Sequence, residues 1–319
     1  MHTRTSIAPS GRSVSIPGIA VSGGIRNEPS ESEGLPALSS RGIALVTGAS
    51  RGIGKSIAVN LAAVGWDVAL TARSVRAGEA REHSSTLDRS DVTPLPGSLE
   101  ETAELVSLAG QRAMIVPADL LDEASLAAAV ASVLAQWGRI DLLVNNGRYI
   151  GPGHMDHFVD TPIELLRRQF EANVMSPLLL TSLVLPSMLE HGGGMVVNIT
   201  SEVAYLDPPG PVGAGGWGLG YAMSKGALQR MAGVLAVELG ERGIRAMNVE
   251  PGFIVTERTA LDMARFGLDL AAGAPPAVVG VVVAWLCSER GVAVLNGSTI
   301  KAQDVCRSEG LLPGWPDGS

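Results

Sequence analysis

The stretch Thr47-Gly48-Ala49-Ser50-Arg51-Gly52-Ile53-Gly54 decides the fold of this chain. It follows the apolar run 43–46, which indicates a buried strand, and it precedes a stretch with apolar residues at helical spacing. Glycine permits a tight turn and lets the backbone approach a phosphate closely. The free amides at the start of a helix, together with the helix dipole, favour an anion. Strand, glycine turn and helix in this order predict a binding site for the pyrophosphate of a dinucleotide.

Strands and helices continue to alternate beyond this turn. This alternation predicts an α/β fold over residues 41–304, a single-domain, doubly wound parallel sheet of the Rossmann type. A ligand is then expected at the carboxyl ends of the strands. Strands are predicted at 43–46, 67–72, 113–117, 140–144, 194–200, 244–250 and 298–302. Helices are predicted after the glycine turn, at 98–109, at 122–137, at 162–189 with an interruption near Pro177, at 221–242, within 257–274 and at 277–287.

Three segments differ in composition from the alternating part of the chain. Residues 1–40 are rich in serine, glycine and proline without periodicity, which predicts a disordered leader. The lack of acidic residues up to Arg26 leaves an organelle transit peptide open beside an unstructured extension or an upstream start site. Residues 74–96 are polar and irregular, and we expect an insertion over the adenosine end of the cofactor. Residues 305–319 are expected to be a C-terminal tail.

Composition and charge limit the classes of partner. Hydrophobic residues make up 46% of the chain, which is ample for a core, and the formal net charge of −8 argues against nucleic acid as a partner. No apolar run in the sequence is as long as a membrane span, so no membrane partner is expected. The two cysteines, Cys287 and Cys306, form no disulfide framework, and a reducing, cytoplasmic location is expected. His154, Asp156 and His157 match no closed metal site, so no metal is expected.

Four polar residues are candidates for chemistry. Tyr221 and Lys225 are four residues apart at the start of a predicted helix, one turn apart on the same face. Such a pair suits proton transfer to an alcohol oxygen, because a nearby cation favours the phenolate. Ser201 follows the fifth strand, where its hydroxyl projects into the expected crevice or simply ends the strand. Asn173 lies inside a predicted helix and is either functional or a buried hydrogen-bonding group.

The glycine spacing and the order of these four residues resemble the short-chain dehydrogenase/reductase family, classical type, from about Gly42 to Ala302. The resemblance implies that Tyr221 is the acid–base catalyst and that Lys225 assists it and binds the nicotinamide ribose. It also implies that Ser201 orients the substrate oxygen and that Asn173 anchors a water in the proton relay. The implied cofactor-binding residues are Gly48, Ser50, Arg51, Gly52, Ile53, Gly54, Arg73, Asp119, Leu120, Asn145, Asn146, Gly147, Tyr221, Lys225, Pro251, Gly252 and Thr256.

Two departures from the family pattern affect the substrate side. Gly147 and Arg148 follow the paired asparagines, where the family usually has alanine first. The family pattern therefore does not predict the shape of the neighbouring pocket. The stretch 207–220, rich in glycine and proline, lengthens the connection between Ser201 and Tyr221 and predicts a loop of its own shape. The apolar composition and this loop favour a lipophilic or bulky carbonyl compound.

The end of the second strand predicts which dinucleotide binds. An acidic side chain there would hydrogen-bond a ribose 2′-hydroxyl, but the position falls near Ala72, and Arg73 follows. Arg51 in the glycine turn is a second cation within reach, and guanidinium groups bind phosphates well. NADP(H) is therefore expected in preference to NAD(H), unless both arginines are solvated surface charges.

The predicted function is an NADP(H)-dependent oxidoreductase that acts on a small-molecule carbonyl or secondary alcohol. A non-catalytic NADP(H)-binding regulator is the alternative. An epimerase or dehydratase of the extended branch is disfavoured, because its glycine pattern is missing. The long helices 162–189 and 221–242 carry more small and apolar residues than one sheet face requires, so a homodimer or homotetramer is expected.

Overall fold

The computed structural model describes residues 41–266 and 273–316. The predicted leader, the end of the predicted helical segment 257–274 and the last residues of the predicted tail lie outside the described residues. All described residues belong to one compact unit.

Within these residues, seven parallel strands form one sheet in the order β3-β2-β1-β4-β5-β6-β7. The order reverses beside β1, because β1 pairs with β2 on one side and with β4 on the other. A crevice forms at such a reversal, and the glycine turn follows β1 directly into it. The prediction of a doubly wound parallel sheet is confirmed. The strands are β1 (Gly42–Thr47), β2 (Trp66–Thr71), β3 (Ala113–Ile115), β4 (Leu142–Asn145), β5 (Gly194–Ile199), β6 (Ile244–Glu250) and β7 (Thr299–Lys301).

The helices begin where the sequence carries capping signals. Ser98 accepts a hydrogen bond from the backbone N of Glu101, and Asp122 accepts from those of Ala124 and Ser125, so each satisfies free amides of a first turn. The helices are α1 (Gly52–Ala63), α2 (Leu99–Leu108), α3 (Glu123–Trp137), α4 (Ile163–Phe170), α5 (Ser176–Glu190), α6 (Leu219–Leu239), α7 (Glu257–Phe266), α8 (Ala277–Leu286), α9 (Glu289–Val292) and α10 (Ala302–Ser308). Short 3₁₀ turns lie at Phe158–Asp160, Glu202–Ala204 and Gly240–Arg242.

The predicted interruption of the long helix lies between α4 and α5, where Glu171–Met175 form a π-helical turn. Pro177 supplies the physical reason, because proline has no N–H to donate and its ring clashes with the carbonyl four residues earlier. That carbonyl belongs to Asn173, which sits within the π turn. Such turns are frequent at functional sites.

Apolar side chains cover both faces of the sheet. Alternate residues of each strand point to opposite faces, so Val46 and Val144 pack with α1 and α8, while Leu45 and Leu143 pack with α3, α5 and α6. Strands buried on both faces are typical of a parallel sheet between helical layers.

The segment after β7 differs from the expected tail. Residues 302–308 form α10, and the side chain of Cys306 is buried. Leu311, Leu312 and Trp315 pack against the same core as α1 and α8. The apolar residues of this segment therefore complete one helical layer.

The helical stretch 163–190 contains an apolar window of mean hydropathy 1.5, so by length and composition it could cross a membrane. The sequence-based expectation of no apolar stretch as long as a membrane span is not met by the helical stretch 163–190. Half of this window is buried within the protein. Core helices of globular proteins are equally long and apolar, so the stretch is weak evidence for a membrane span.

Candidate active site

A cavity of about 480 Å³ opens where the strand order reverses. Its walls come from the glycine turn, the segments after β2, β3 and β4, the end of β5, and the starts of α6 and α7. The sequence-predicted residues that line it are Gly48, Ser50, Arg51, Gly52, Ile53, Gly54, Arg73, Asp119, Leu120, Asn146, Gly147, Tyr221, Lys225, Pro251 and Thr256. Four other residues that the sequence predicts for the site do not line the cavity as the structure describes it. They are Asn145, Gly252, Asn173 and Ser201.

The glycine turn has the geometry that a dinucleotide pyrophosphate requires. Gly48 and Gly52 have φ values of +66° and +54°, which favour glycine. A Cβ on Gly54 would lie 2.2 Å from the carbonyl oxygen of Gly48, so only glycine lets the helix start this close to the turn. Gly52, Ile53 and Gly54, the first residues of α1, line the cavity, and the first amides of a helix lack partners within it. The residues present therefore fit a dinucleotide cofactor.

Thr47 and Asn146 hold the glycine turn against the end of β4. The Thr47 hydroxyl donates to the carbonyl of Val144 and accepts from the backbone N of Asn146 and of Gly147, at 2.9 and 2.8 Å. The Asn146 side chain donates to the carbonyl of Thr47 at 2.8 Å. The two strand ends that flank the crevice are thus fixed to each other.

Tyr221 and Lys225 both line the cavity from the first turns of α6. Lys225 is buried, and its Nζ donates to the carbonyl oxygen of Ile199 at 2.6 Å. Burial, with the nearby Arg148 cation, lowers the pKa of Lys225 to about 7. The hydrogen bond fixes α6 to the end of β5, immediately before Ser201.

Asn173 is buried and connects two walls of the site. Its Oδ1 accepts from the backbone N of Tyr149 at 2.6 Å, and its Nδ2 donates to the hydroxyl of Ser224 at 2.9 Å. That hydroxyl donates in turn to the carbonyl of Tyr221 at 3.0 Å. Asn173 thus positions the turn of α6 that carries Tyr221.

Asn145 points away from the cavity into a row of buried amides. Asn145, Asn198 and Asn248 are paired in register on β4, β5 and β6. Asn145 Nδ2 donates to Asn198 Oδ1 at 3.0 Å, and Asn198 Nδ2 donates to Asn248 Oδ1 at 3.3 Å. Any support that Asn145 gives the cofactor therefore acts through the backbone of β4.

The two arginines expected near a 2′-phosphate have different surroundings. Arg51 donates to the carbonyls of Pro96 and Gly97, both at 2.9 Å, so its guanidinium is already occupied. Arg73 has a partly exposed side chain whose Nη1 lies 4.0 Å from Asp119 Oδ2.

The 74–96 insertion is irregular, as expected, but it extends past the adenosine end. Arg258 at the start of α7 donates to the carbonyl of His83 and to the hydroxyl of Ser85, at 3.2 and 2.6 Å. The backbone N of Met155 donates to the carbonyl of Ser85 at 2.7 Å. The insertion therefore crosses from the glycine turn to the loop after β4 and covers one side of the cavity.

Three residues near Tyr221 have no role predicted from the sequence, namely Arg148, His154 and Arg168. The guanidinium carbon of Arg148 lies 5.6 Å from the ring centroid of Tyr221, and the His154 ring meets that ring edge to face at 4.6 Å. Arg168 of α4 lines the same cavity. Burial and the cations Arg148, Arg258 and Lys225 hold the pKa of His154 well below its usual range. The unusual Arg148 after the paired asparagines was the one signal in the sequence.

The loop 207–218 packs beside His154, which contacts the Tyr221 ring. The backbone N of Gly218 donates to the carbonyl of His154 at 3.2 Å, and a Cβ on Gly218 would lie 2.6 Å from that oxygen. Across residues 41–266 and 273–316, no group of three or more His, Cys, Asp or Glu side chains is arranged to hold a metal ion.

Known proteins are similar to this chain in sequence and architecture. The family model for short chain dehydrogenase matches residues 42–106 and 92–264. An uncharacterized oxidoreductase of Methylorubrum extorquens is 34% identical over 218 residues, which cover 68% of this chain and 75% of that protein. The 2-(R)-hydroxypropyl-CoM dehydrogenase of Xanthobacter autotrophicus is 35% identical over 218 residues, 68% of this chain and 76% of that protein.

A solved structure of 7 alpha-hydroxysteroid dehydrogenase, complexed with NADH and 7-oxo glycochenodeoxycholic acid, superposes with a TM-score of 0.66 at 26% identity. The match covers 82% of this chain and 92% of that one. With the glycine turn and the parallel sheet, these matches show that the chain belongs to the short-chain dehydrogenase/reductase family and is an NAD(P)(H)-binding oxidoreductase acting on CH–OH or C=O groups.

Proposed function

We propose that this protein is an NADP(H)-dependent oxidoreductase that uses Asn173, Ser201, Tyr221 and Lys225 as a catalytic tetrad. The observation that carries the proposal is that Tyr221 and Lys225 line the same cavity as the glycine turn. A dinucleotide whose pyrophosphate binds at that turn can extend through the same cavity towards the phenol of Tyr221.

The bound cofactor supplies a hydride to a carbonyl carbon, or accepts one from an alcohol carbon. Tyr221 holds the proton that the carbonyl oxygen takes up as the hydride arrives. Lys225 lies one turn further along α6, and a protonated Nζ there favours the phenolate that Tyr221 leaves behind.

Ser201 and Asn173 support this chemistry from positions directly beside Thr200 and Ala172, which line the cavity. Ser201 begins the turn after β5, next to the strand end held by Lys225, and we assign it the orientation of the substrate oxygen. Asn173 fixes the Tyr221 turn through Ser224. Pro177 denies the Asn173 carbonyl its usual helical donor, which suits that carbonyl to anchoring a water.

The preference for NADP(H) rests on Arg73. It lines the cavity directly after β2, where a carboxylate would select NAD(H), and about one third of its side chain is exposed to the cavity and solvent. Arg51 already binds carbonyls of residues 95–97, so we assign it to holding the chain there.

The proposal is tested by measuring NADPH oxidation against a panel of ketones, aldehydes and quinones. Wild type should turn over at least one carbonyl compound. Tyr221→Phe should lose activity by about 10²–10⁴-fold, the usual contribution of general acid–base catalysis, with NADPH affinity nearly unchanged. More than about a tenth of the wild-type rate in this variant contradicts the role of Tyr221. Tight NADPH binding with an inert panel would favour the non-catalytic regulator.

A further inference from the structure

The end of the cavity near Tyr221 carries arginines, and the carboxylates of the cavity pair with other groups. Four acidic side chains line the cavity, Glu79, Glu82, Asp119 and Glu257. Their described hydrogen bonds and ion pairs go to residues of the insertion, the glycine turn, Arg73 and neighbouring backbone. None of these contacts, among the residues that the structure describes, reaches Arg148 or Arg168.

Arg148 is built into the wall next to the reacting group. Its Nη1 donates to the carbonyl of Tyr149 at 3.0 Å, which fixes the guanidinium near the Tyr221 ring, 5.6 Å from the centroid. A guanidinium has five N–H donors in a planar fork that matches a carboxylate. In the described part of the chain Arg148 has this one hydrogen-bond acceptor and no ion pair, so most of its donors remain for a ligand.

Arg168 lies on α4 and lines the cavity, and its guanidinium makes no hydrogen bond or ion pair with residues 41–266 and 273–316. Its charge opposes the effect of burial, which raises the pKa of Tyr149 on the same wall and to which Glu82 adds. The neighbouring Arg167 differs, since its guanidinium pairs with Glu164 and it does not line the cavity. Of these two adjacent arginines, only Arg168 is directed to the site.

The cations at this end repel one another. Burial is the main cause of the low pKa of Lys225 and of His154, and Arg148 lowers both further. A bound anion would reduce this repulsion and strengthen its own binding in return, because charges interact strongly away from bulk water.

We propose that the substrate carries a carboxylate within a few bonds of its reacting carbonyl, as an oxo acid does, and that Arg148 binds this carboxylate with Arg168 at the outer wall. The inference rests on the proposed function, because it places the carbonyl at Tyr221. It adds an anionic group to the expected lipophilic or bulky carbonyl compound.

Selectivity between matched substrates tests the inference. Linear 2-, 3- and 4-oxo acids and their methyl esters are compared as substrates with NADPH. Wild type should show kcat/KM at least about tenfold higher for an acid than for its ester, since charge-assisted hydrogen bonds contribute about 1.5–3 kcal/mol. Arg148→Gln should remove most of this ratio, Arg168→Gln should reduce it, and the control Arg167→Gln should leave it unchanged. If Arg148 also affects the rate of carbonyl reduction in general, that effect is the same for acid and ester and cancels in the ratio of their kcat/KM values.

A binding measurement separates this inference from the proposed function. Calorimetry with the NADPH-loaded Tyr221→Phe variant should show tighter binding of acids than of esters, and adding Arg148→Gln should abolish the difference. Equal binding and equal turnover of every acid–ester pair would overturn the inference while leaving carbonyl reduction intact. Acid-selective binding without turnover by wild type would support the anion site and contradict the proposed function.

Discussion

Glu257 Oε1 accepts a hydrogen bond from the backbone N of Gly52 at 3.4 Å. Gly52 is the first residue of α1, where free amides and the helix dipole form the expected pyrophosphate site. The other carboxylate oxygen of Glu257 is buried and has no hydrogen-bond partner among residues 41–266 and 273–316. A side-chain carboxylate thus contacts an amide of the expected pyrophosphate site, and we expect it to move when the cofactor binds.

Glu257→Gln is therefore expected to tighten NADPH binding. A charge at a helix terminus is worth about 0.3–1 kcal/mol, so affinity should rise roughly two- to fivefold. Fluorescence titration at low ionic strength measures it, and added salt should shrink the difference. Glu100→Gln, in the first turn of α2 and outside the cavity wall, is the matched control. Unchanged or weaker NADPH binding in Glu257→Gln would show that the carboxylate does not compete.

The pH dependence of carbonyl reduction should follow Lys225. Its pKa in the cofactor-free protein is about 7, and kcat/KM for NADPH reports the groups of that free enzyme. If the protonated amine assists Tyr221, kcat/KM is full at acidic pH and falls as the pH rises through about 7. Arg148→Gln removes a neighbouring cation and should move this fall to higher pH. A fall at the same pH in both proteins would exclude this coupling.

The same group makes a stability prediction. Lysine ordinarily has a pKa of 10.5, so between about 7 and 10.5 the unfolded chain holds a proton that folded Lys225 has released. The cost of burying the charged amine is full below about 7, and stability rises with pH across that window. The free energy of unfolding of wild type, measured in urea against that of Lys225→Met, should therefore increase from pH 7 to pH 9. A constant difference would mean that Lys225 is not buried in its charged form.

Cofactor choice should depend on Arg73. Wild type is expected to favour NADP over NAD by at least about tenfold in kcat/KM, and Arg73→Ala should lose most of that preference. Arg51→Ala should weaken both cofactors alike, because the Arg51 guanidinium binds carbonyls of residues 95–97. Equal use of NAD by wild type would contradict the NADP assignment, and a selective NADP loss in Arg51→Ala would reassign the phosphate contact.

Association of two copies should depend on the outer surfaces of α5 and α6. Leu178 and Val234 are exposed, at 41% and 50%, and line an apolar groove between these helices. In the family that the sequence resembles, these helices pair across a two-fold axis. Val234→Asp should convert a dimer or tetramer to smaller species in light scattering. Leu108→Asp, at an exposed site on α2, should leave the mass unchanged. A monomeric wild type at micromolar concentration would contradict the expectation.

Local signals made much of this fold predictable. The glycine turn, Ser98 and Asp122 mark helix starts through contacts within a few residues, so the sequence is enough to find them. The short helix α10 was missed because it follows β7 at once and has no side-chain cap.

The arrangement around Tyr221 depends on tertiary contacts. Arg148 and His154 reach its ring from a loop that is distant in sequence, and no periodicity encodes that approach. The direction of the Asn145 side chain was predictable in principle. Side chains alternate along β4, which places Asn145 on the same face as Leu143 and opposite to Val144. Its partners on β5 and β6 required the strand order.

The 74–96 insertion is held mainly through its own backbone. Arg51 binds the carbonyls of Leu95 and Pro96, Arg258 binds that of His83, and Asp156 accepts from the backbone N of Leu87. Backbone groups are common to all residues except for the N–H of proline, so most side chains of the insertion can change without loss of these anchors. Relatives that keep the two arginines and Asp156 are free to diversify this cover, and exchanging it between enzymes is a route to new substrate ranges on an unchanged scaffold.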